Sequence, residues 1–239
     1  MGQWELPGNP PIPLVLRRSA RARRISLRVS SLDGRVTLTL PRGVAEAEAL
    51  AFARQKEAWL RGHLDRRPDE IAVTHGASLP VEGVSLTIAP GAGRAVKIAD
   101  GLLLVPGPRG REGPALAGWL KARARDRLAA ASDRHAAALG RSYTRLTLRD
   151  TRSRWGSCSA EGGLNYSWRL ILAPPEILDY VAAHEVAHLA EMNHSPAFWT
   201  VVERLYGDWR PARRWLHDHG AALHRFRFAP GSAPSRNSD

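Results

Sequence analysis

The chain has 239 residues, of which 44% are hydrophobic and 24% charged; this globular composition excludes a collagen-like or wholly disordered chain. It holds a single cysteine, Cys158, which excludes an intramolecular disulfide. No apolar run reaches the length of a signal peptide or a membrane span, so we expect a cytoplasmic protein. Its 35 basic and 23 acidic residues give a net charge of +12, typical of proteins that bind polyanions but also of an arginine-rich composition.

The first half of the sequence is predicted to be β-rich. Residues 1–12 contain many prolines and glycines and are predicted to form a flexible tail. Residues 44–64 have the apolar periodicity of a helix. The rest of the region 13–107 is predicted to form a largely antiparallel β unit, with a hairpin turn at 32–34. Its strands are predicted at residues 14–18, 23–31, 34–41, 78–83, 85–90, 95–100 and 102–107.

The second half, residues 108–228, is predicted to be mostly helical. A long helix is expected over 115–139, with its apolar residues on one face and Gly140 just beyond its end. Two strands follow, at 144–150 and 164–172, and helices then continue to about residue 226. Residues 229–239 have the composition of a disordered tail. The fold class predicted is therefore α+β.

An HExxH motif at residues 184–188 carries the chemistry. His184 and His188 are four residues apart, so both imidazoles lie on one helix face and can reach the same cation. Glu185 lies about 100° around the helix, where it can hold a water on that cation without ligating it. Zinc lowers the pKa of such a water toward about 7, and Glu185 then accepts its proton as the general base.

A third metal ligand is predicted at His194, in a turn between two helices. Met192 and Asn193 can end the first helix, and Ser195 and Pro196 suit the start of the next one. Three protein ligands leave one position of a tetrahedral zinc open, as catalytic sites do. Glu203, on the following helix, is the alternative third ligand.

Residues 151–159, 164–189 and 192–199 resemble the YgjP-like zinc metallopeptidase family, which is related to the SprT-like and WLM zincins. The resemblance continues into 209–223 and, more loosely, upstream, so it covers nearly the whole chain except the tails. It implies one zinc ion per chain, held by His184, His188 and His194, with Glu185 catalytic. It also implies a zincin-like core in which the HExxH helix packs under a small antiparallel sheet. Glu191 stands where metzincins have glycine, so the chain is not a metzincin.

The segment 152–158 is predicted to form a tight turn at Gly156 and Ser157. Arg154 either points at the metal, where it would bind an oxyanion or anionic substrate, or pairs with a carboxylate that fixes the turn. Cys158 is predicted to be a small buried residue.

The strand at 164–168 is predicted either to pack within its sheet or to lie at an edge over the cleft. At an edge it could pair with an extended peptide, and Asn165 or Tyr166 would then touch the substrate.

A zinc-dependent peptidase that acts on peptides or proteins is the first functional hypothesis. The second is a zinc hydrolase of nucleotides or another small anion, based on the net charge and on Arg152, Arg154 and Arg169. The third is a nucleic-acid-associated protein, based on the basic run at residues 17–24, although nucleic acid is not the favoured partner. No membrane partner is expected.

Overall fold

The computed structural model describes residues 3–30, 34–65 and 69–229. The chain forms two compact units, Met1–Asp69 and Glu70–Asp239. Most of the hairpin turn predicted at 32–34, and the predicted tail beyond Ala229, lie outside the described residues. No described helix combines the length and apolarity that crossing a membrane requires.

The first unit is a four-stranded sheet covered by two helices. Leu14, Leu38 and Leu40 alternate with exposed or half-exposed residues and bury one face of the sheet against the helices. The sheet has the order β1-β2-β4-β3, in which β2 and β4 are parallel and the other pairs antiparallel. The elements are β1 (Gln3–Leu6), β2 (Ile12–Arg18), β3 (Ser26–Val29), β4 (Val36–Leu40), α1 (Glu46–Gln55) and α2 (Glu57–Asp65).

Two features of the first unit differ from the predictions. Within residues 1–12, where composition predicts a flexible tail, β1 pairs antiparallel with β2 and buries Leu6. The prolines and glycine instead form the connection between these strands. The helix predicted over 44–64 is broken at Lys56, whose backbone (φ −99°, ψ 11°) departs from helical geometry.

The second unit begins with a strand, β5 (Ile71–Ala72), and a four-stranded sheet of order β6-β7-β9-β8. The strands of that sheet are β6 (Ser78–Val81), β7 (Val84–Pro90), β8 (Lys97–Ala99) and β9 (Leu102–Val105). Here β7 and β9 are parallel, so the region is less antiparallel than predicted. Helix α3 (Glu112–Leu139) confirms the predicted long helix, and Gly140 adopts the left-handed conformation at its end.

The boundary between the units lies at 69/70, whereas the sequence predicts a boundary at 107/108. Strand residues Leu79 and Leu103 share one buried core with Leu116 and Leu120 of α3. The second sheet therefore belongs to the same body as the helices that follow it, a long-range contact that sequence periodicity does not report.

The second unit also contains a three-stranded sheet with helices packed beneath it. Its strands have the order β10-β12-β11, where β12 pairs parallel with β10 and antiparallel with β11. The predicted small sheet is thus mixed rather than antiparallel. The strand predicted over 164–172 ends at Ser167, and the buried residues Trp168–Leu172 form a 3-10 helix. The strands are β10 (Arg145–Arg149), β11 (Gly156–Cys158) and β12 (Gly163–Ser167).

Three helices and a second 3-10 helix complete the unit, and the fold is α+β as predicted. Helix α4 ends at Ala187, five residues before Met192, where the sequence predicts its end. The predicted start of α5 is confirmed, because the Ser195 hydroxyl accepts a hydrogen bond from the Phe198 amide. The elements are α4 (Pro175–Ala187), α5 (Pro196–Tyr206), α6 (Arg210–His219), the 3-10 helix Gly220–His224 and β13 (Phe226–Arg227), which pairs with β5.

Arg169 ties the end of the chain to this core. Its buried guanidinium donates to both carboxylate oxygens of Asp150, at 2.7 and 3.3 Å, and to the carbonyls of Leu223 and Phe226, both at 3.1 Å. Burial raises the pKa of Asp150, but the hydrogen bonds and charge of Arg169 outweigh it and hold the pKa below its usual range.

Arg169→Met should lower the free energy of unfolding by about 3 kcal/mol, because two buried carbonyls and a carboxylate lose their donors. Urea denaturation measures this change. Arg134→Met is the matched control: Arg134 pairs with Asp179 but is mostly exposed, so a change below about 1 kcal/mol is expected. If the two substitutions lowered the free energy of unfolding equally, the stabilising role assigned to the buried Arg169 would be wrong.

Candidate metal centre

Three histidines converge at the end of α4. His184 lies in the last turn of this helix, His188 is the residue that follows its end, and His194 precedes α5. Each offers a ring nitrogen, and these atoms lie within 4.8 Å of one another. The Nε2 atoms of His184 and His194 are 3.1 Å apart. Such a group of nitrogens can hold one metal ion.

The chain orients the imidazoles toward a common point. The Nδ1 of His188 lies 3.0 Å from the Glu191 carbonyl, which can only accept, so Nδ1 carries the hydrogen and Nε2 is free to ligate. Phe198, fully buried, stacks on His188 with the ring centres 4.5 Å apart and also contacts His184 and His194. The HExxH pattern gives no sign of this supporting role of Phe198.

The protonation of the histidines suits a metal ligand. Burial, together with the charges of His188, His194 and Arg213, lowers the pKa of His184 to about 3. Burial also lowers the pKa of His188. Neutral imidazoles offer lone pairs, and an all-imidazole donor set suits zinc and its transition-metal neighbours. Glu203, the alternative third ligand, is outside the histidine group and lies 3.7 Å from Arg210.

Glu185 lies beside this group and is buried, with 5% of its surface exposed. Burial raises the pKa of its carboxyl to about 8, against the lowering effects of the Arg154 charge and the Cys158 backbone N–H. An apolar setting of this kind makes the carboxylate a stronger base than one in water.

Gly156 provides the space that the Glu185 carboxylate occupies. A Cβ atom built on Gly156 would lie 2.5 Å from Oε1 and 2.7 Å from Cδ of Glu185, so any side chain here would displace the Glu185 carboxylate. The sequence predicts a tight turn here, but Gly156 begins strand β11 and its φ is not positive. Glycine is therefore required at this position for contact with Glu185 rather than for backbone freedom.

An open cleft of about 410 Å³ lies over the histidines and Glu185. Arg154 lines it, exposed, and its guanidinium has no hydrogen bond or ion pair within the described part of the chain. The turn is fixed instead by the Arg154 carbonyl, which accepts from the Thr151 hydroxyl at 2.9 Å. Apolar and aromatic side chains that the sequence did not predict as site residues form much of the wall: Trp155, Tyr180, Val181, Met192 and Leu216.

Two other sequence candidates lie away from the cleft. Strand β12 is the central strand of its sheet and cannot accept a peptide along an edge. Tyr166 is buried, and its hydroxyl lies 3.0 Å from that of Ser132, so it cannot touch a substrate. Asn165 is half-buried opposite Ser157 and does not line the described cleft.

Of the other residues singled out in the sequence, Arg152 and Arg169 lie outside the cleft lining and Cys158 lies within it. Arg169 is buried against Asp150, and Arg152 is exposed outside the cleft lining. Cys158 lines the cleft but is only half-buried. Burial and the neighbouring Glu185 raise the pKa of its thiol to about 11, so it stays protonated and is a poor ligand.

His188→Ala should reduce bound metal from one ion per chain to near zero after dialysis, because two imidazoles alone hold a metal weakly. Elemental analysis of the dialysed protein measures this. His217→Ala is the matched control, since His217 is exposed and outside the group. If His188→Ala retained one metal ion per chain, the metal would bind at a site other than these histidines.

Imidazole nitrogens beside a buried carboxylate, at the floor of an open cleft, place the second unit among metal-dependent hydrolases. The chain belongs to the YgjP-like family, whose metallopeptidase domain model matches residues 23–219. A search of curated proteins found no match. Among solved structures, the metallopeptidase zymogen of Pyrococcus abyssi abylysin is similar, with 19% identity, a TM-score of 0.35, and coverage of 38% of this chain and 93% of that chain.

Proposed function

We propose that this chain is a cytoplasmic zinc-dependent peptidase that cleaves extended polypeptide segments. One observation carries the proposal: the three convergent imidazoles lie beside a buried carboxylate, Glu185, in one open cleft. When bound, zinc supplies a Lewis acid that lowers the pKa of water and polarises the attacked carbonyl. The proposed ligands are His184, His188 and His194.

Glu185 is the proposed proton carrier. It accepts a proton from the attacking water and delivers it to the leaving nitrogen, so no covalent enzyme intermediate forms. The raised pKa makes the ionised carboxylate a stronger proton acceptor, and the absence of a side chain at Gly156 leaves the space that the carboxylate occupies.

The substrate is proposed to pair with β11 rather than with the central strand β12. Trp155 and Ser159 form backbone hydrogen bonds to the β12 side, at 2.8 and 2.9 Å. By strand alternation, the backbone polar groups of Gly156 and Cys158 face the open edge. An extended peptide can add to such an edge, with Arg154 at one end to receive an anionic or developing oxyanionic group.

The space around the histidines suits a long substrate. A second cavity of about 510 Å³, lined by residues such as Arg141, Ser142 and Glu161, shares His188 and Met192 with the cleft. The two cavities therefore meet at His188, one of the candidate metal ligands. An extended chain can occupy both parts, whereas a mononucleotide can occupy only one.

Hydrolysis of a small anionic substrate is the second candidate, favoured by the unpaired Arg154 in the cleft. Zinc-loaded protein incubated with unfolded casein and, separately, with nucleoside triphosphates tests both. We expect casein fragments by mass spectrometry and no phosphate or pyrophosphate release. Phosphate release with intact casein would overturn the peptidase proposal in favour of the second candidate, and no hydrolysis of either would contradict both.

A further inference from the structure

The first unit presents a sheet face that its helices leave uncovered. Leu14 and Leu38 point into the core, so their strand neighbours point to the opposite side. In register, Arg17 and Ser26 flank Thr39, and Val15 and Arg28 flank Thr37. We call the part of this side on β2, β4 and β3 the outer face; its members are Val15, Arg17, Ser26, Arg28, Thr37 and Thr39, of which both arginines and Ser26 are exposed. One acidic residue, Glu5 of β1, lies on the same side of the sheet, opposite Pro13.

The connection from β2 to β3 adds three more arginines to one end of this face. It crosses the end of β4, where the Ser19 amide donates to the Leu40 carbonyl at 3.0 Å. Arg21, Arg23 and Arg24 lie in this connection and are exposed.

These cations have no acidic neighbours in the sequence. Residues 6–32 form the longest stretch of the chain without aspartate or glutamate, and they contain six arginines. Among the residues that the structure describes, only Arg18 of the six has a carboxylate partner, Glu46, at 3.2 Å. Within the described residues, the side chains of Arg17, Arg21, Arg23, Arg24 and Arg28 form no hydrogen bond or ion pair. The cluster therefore carries uncompensated charge.

We propose that the outer face and the β2–β3 connection bind the phosphodiester backbone of a nucleic acid. The guanidinium group of an arginine can donate two parallel hydrogen bonds to phosphate oxygens. The hydroxyls of Thr37, Thr39 and Ser26, which lie between the arginines, can donate to the same phosphate groups. The face carries no exposed large apolar side chain that would insert into lipid, which favours nucleic acid over a membrane surface. This site lies in the first unit, and its binding does not rest on the function proposed above for the second unit.

Fluorescence anisotropy of the full chain with a fluorescein-labelled 25-base-pair DNA duplex, and with single-stranded RNA of equal length, tests the site. We expect binding to at least one of the two nucleic acids that weakens with NaCl, with a log–log slope of about −0.9 for each phosphate contact. The variant Arg17→Gln/Arg24→Gln/Arg28→Gln should bind at least tenfold more weakly. Its log–log slope should be less steep, by the amount expected for the loss of up to about three phosphate contacts.

The variant Arg54→Gln/Lys56→Gln/Arg94→Gln is the charge-matched control, since it removes three exposed cations elsewhere. It should retain wild-type binding. Equal losses in both variants would show that net charge alone is responsible and would overturn the proposal. Absence of binding to both nucleic acids at 50 mM NaCl, or binding only to phosphatidylserine vesicles, would also overturn it.

Discussion

Glu185→Gln should abolish hydrolysis while leaving the metal in place. Glutamine keeps the shape of the side chain but cannot accept the proton of the attacking water, and general-base catalysis of this kind contributes about 10²–10⁴-fold. The metal should remain because Glu185 is outside the histidine group. Casein hydrolysis and elemental analysis on the same preparation measure the two effects together.

Glu176→Gln is the matched control for this variant. Glu176 lies on the same helix and is exposed, so we expect wild-type activity from the same chemical change. If Glu185→Gln retained activity within threefold of wild type, Glu185 would not be the base. If it lost its metal as well, the carboxylate would hold the site together rather than act in catalysis.

Gly156→Ala should lower kcat by about 100-fold or more, with the metal content unchanged. The new methyl group would overlap the Glu185 carboxylate, which must then move, and a displacement of about 1 Å costs roughly this factor in catalysis. Because β11 can retain its backbone conformation, we expect the effect mainly in kcat and little change in the melting temperature. Steady-state kinetics and thermal unfolding separate these effects.

Two comparisons make the Gly156→Ala result specific. In a Glu185→Asp background the shorter side chain leaves room, so Gly156→Ala should cost less than it does in wild type. Gly118→Ala on α3 is the control, since a Cβ there meets nothing within 4 Å. Equal costs in both backgrounds would show that Gly156 acts through the strand and not through Glu185.

The sequence predicts the parts of this molecule that local chemistry determines. The HExxH spacing predicts that His184 and His188 share a helix face, and Gly140 marks the end of α3. Apolar periodicity does not detect the helix break at Lys56 or the early end of α4.

Long-range placement was not predictable in the same way. Strand alternation is the same for a central and an edge strand, so the sequence cannot show that Tyr166 lies in the middle of the sheet while Gly156 lies at its edge. For the same reason, the sequence groups Arg169 with the arginines that could bind an anionic substrate, although it is buried against Asp150. A glycine inside a strand was the available signal for a close contact at Gly156.

The shortness of β11 limits how tightly the proposed peptidase can hold its substrate. Only Gly156 and Cys158 face the open edge, and the Cys158 N–H is directed at Glu185, so three backbone groups remain for a peptide. At about 1 kcal/mol each, these bonds alone support only millimolar affinity. The enzyme would then work far below saturation, and the rate at which a given protein is cleaved would follow how often it exposes an unfolded segment.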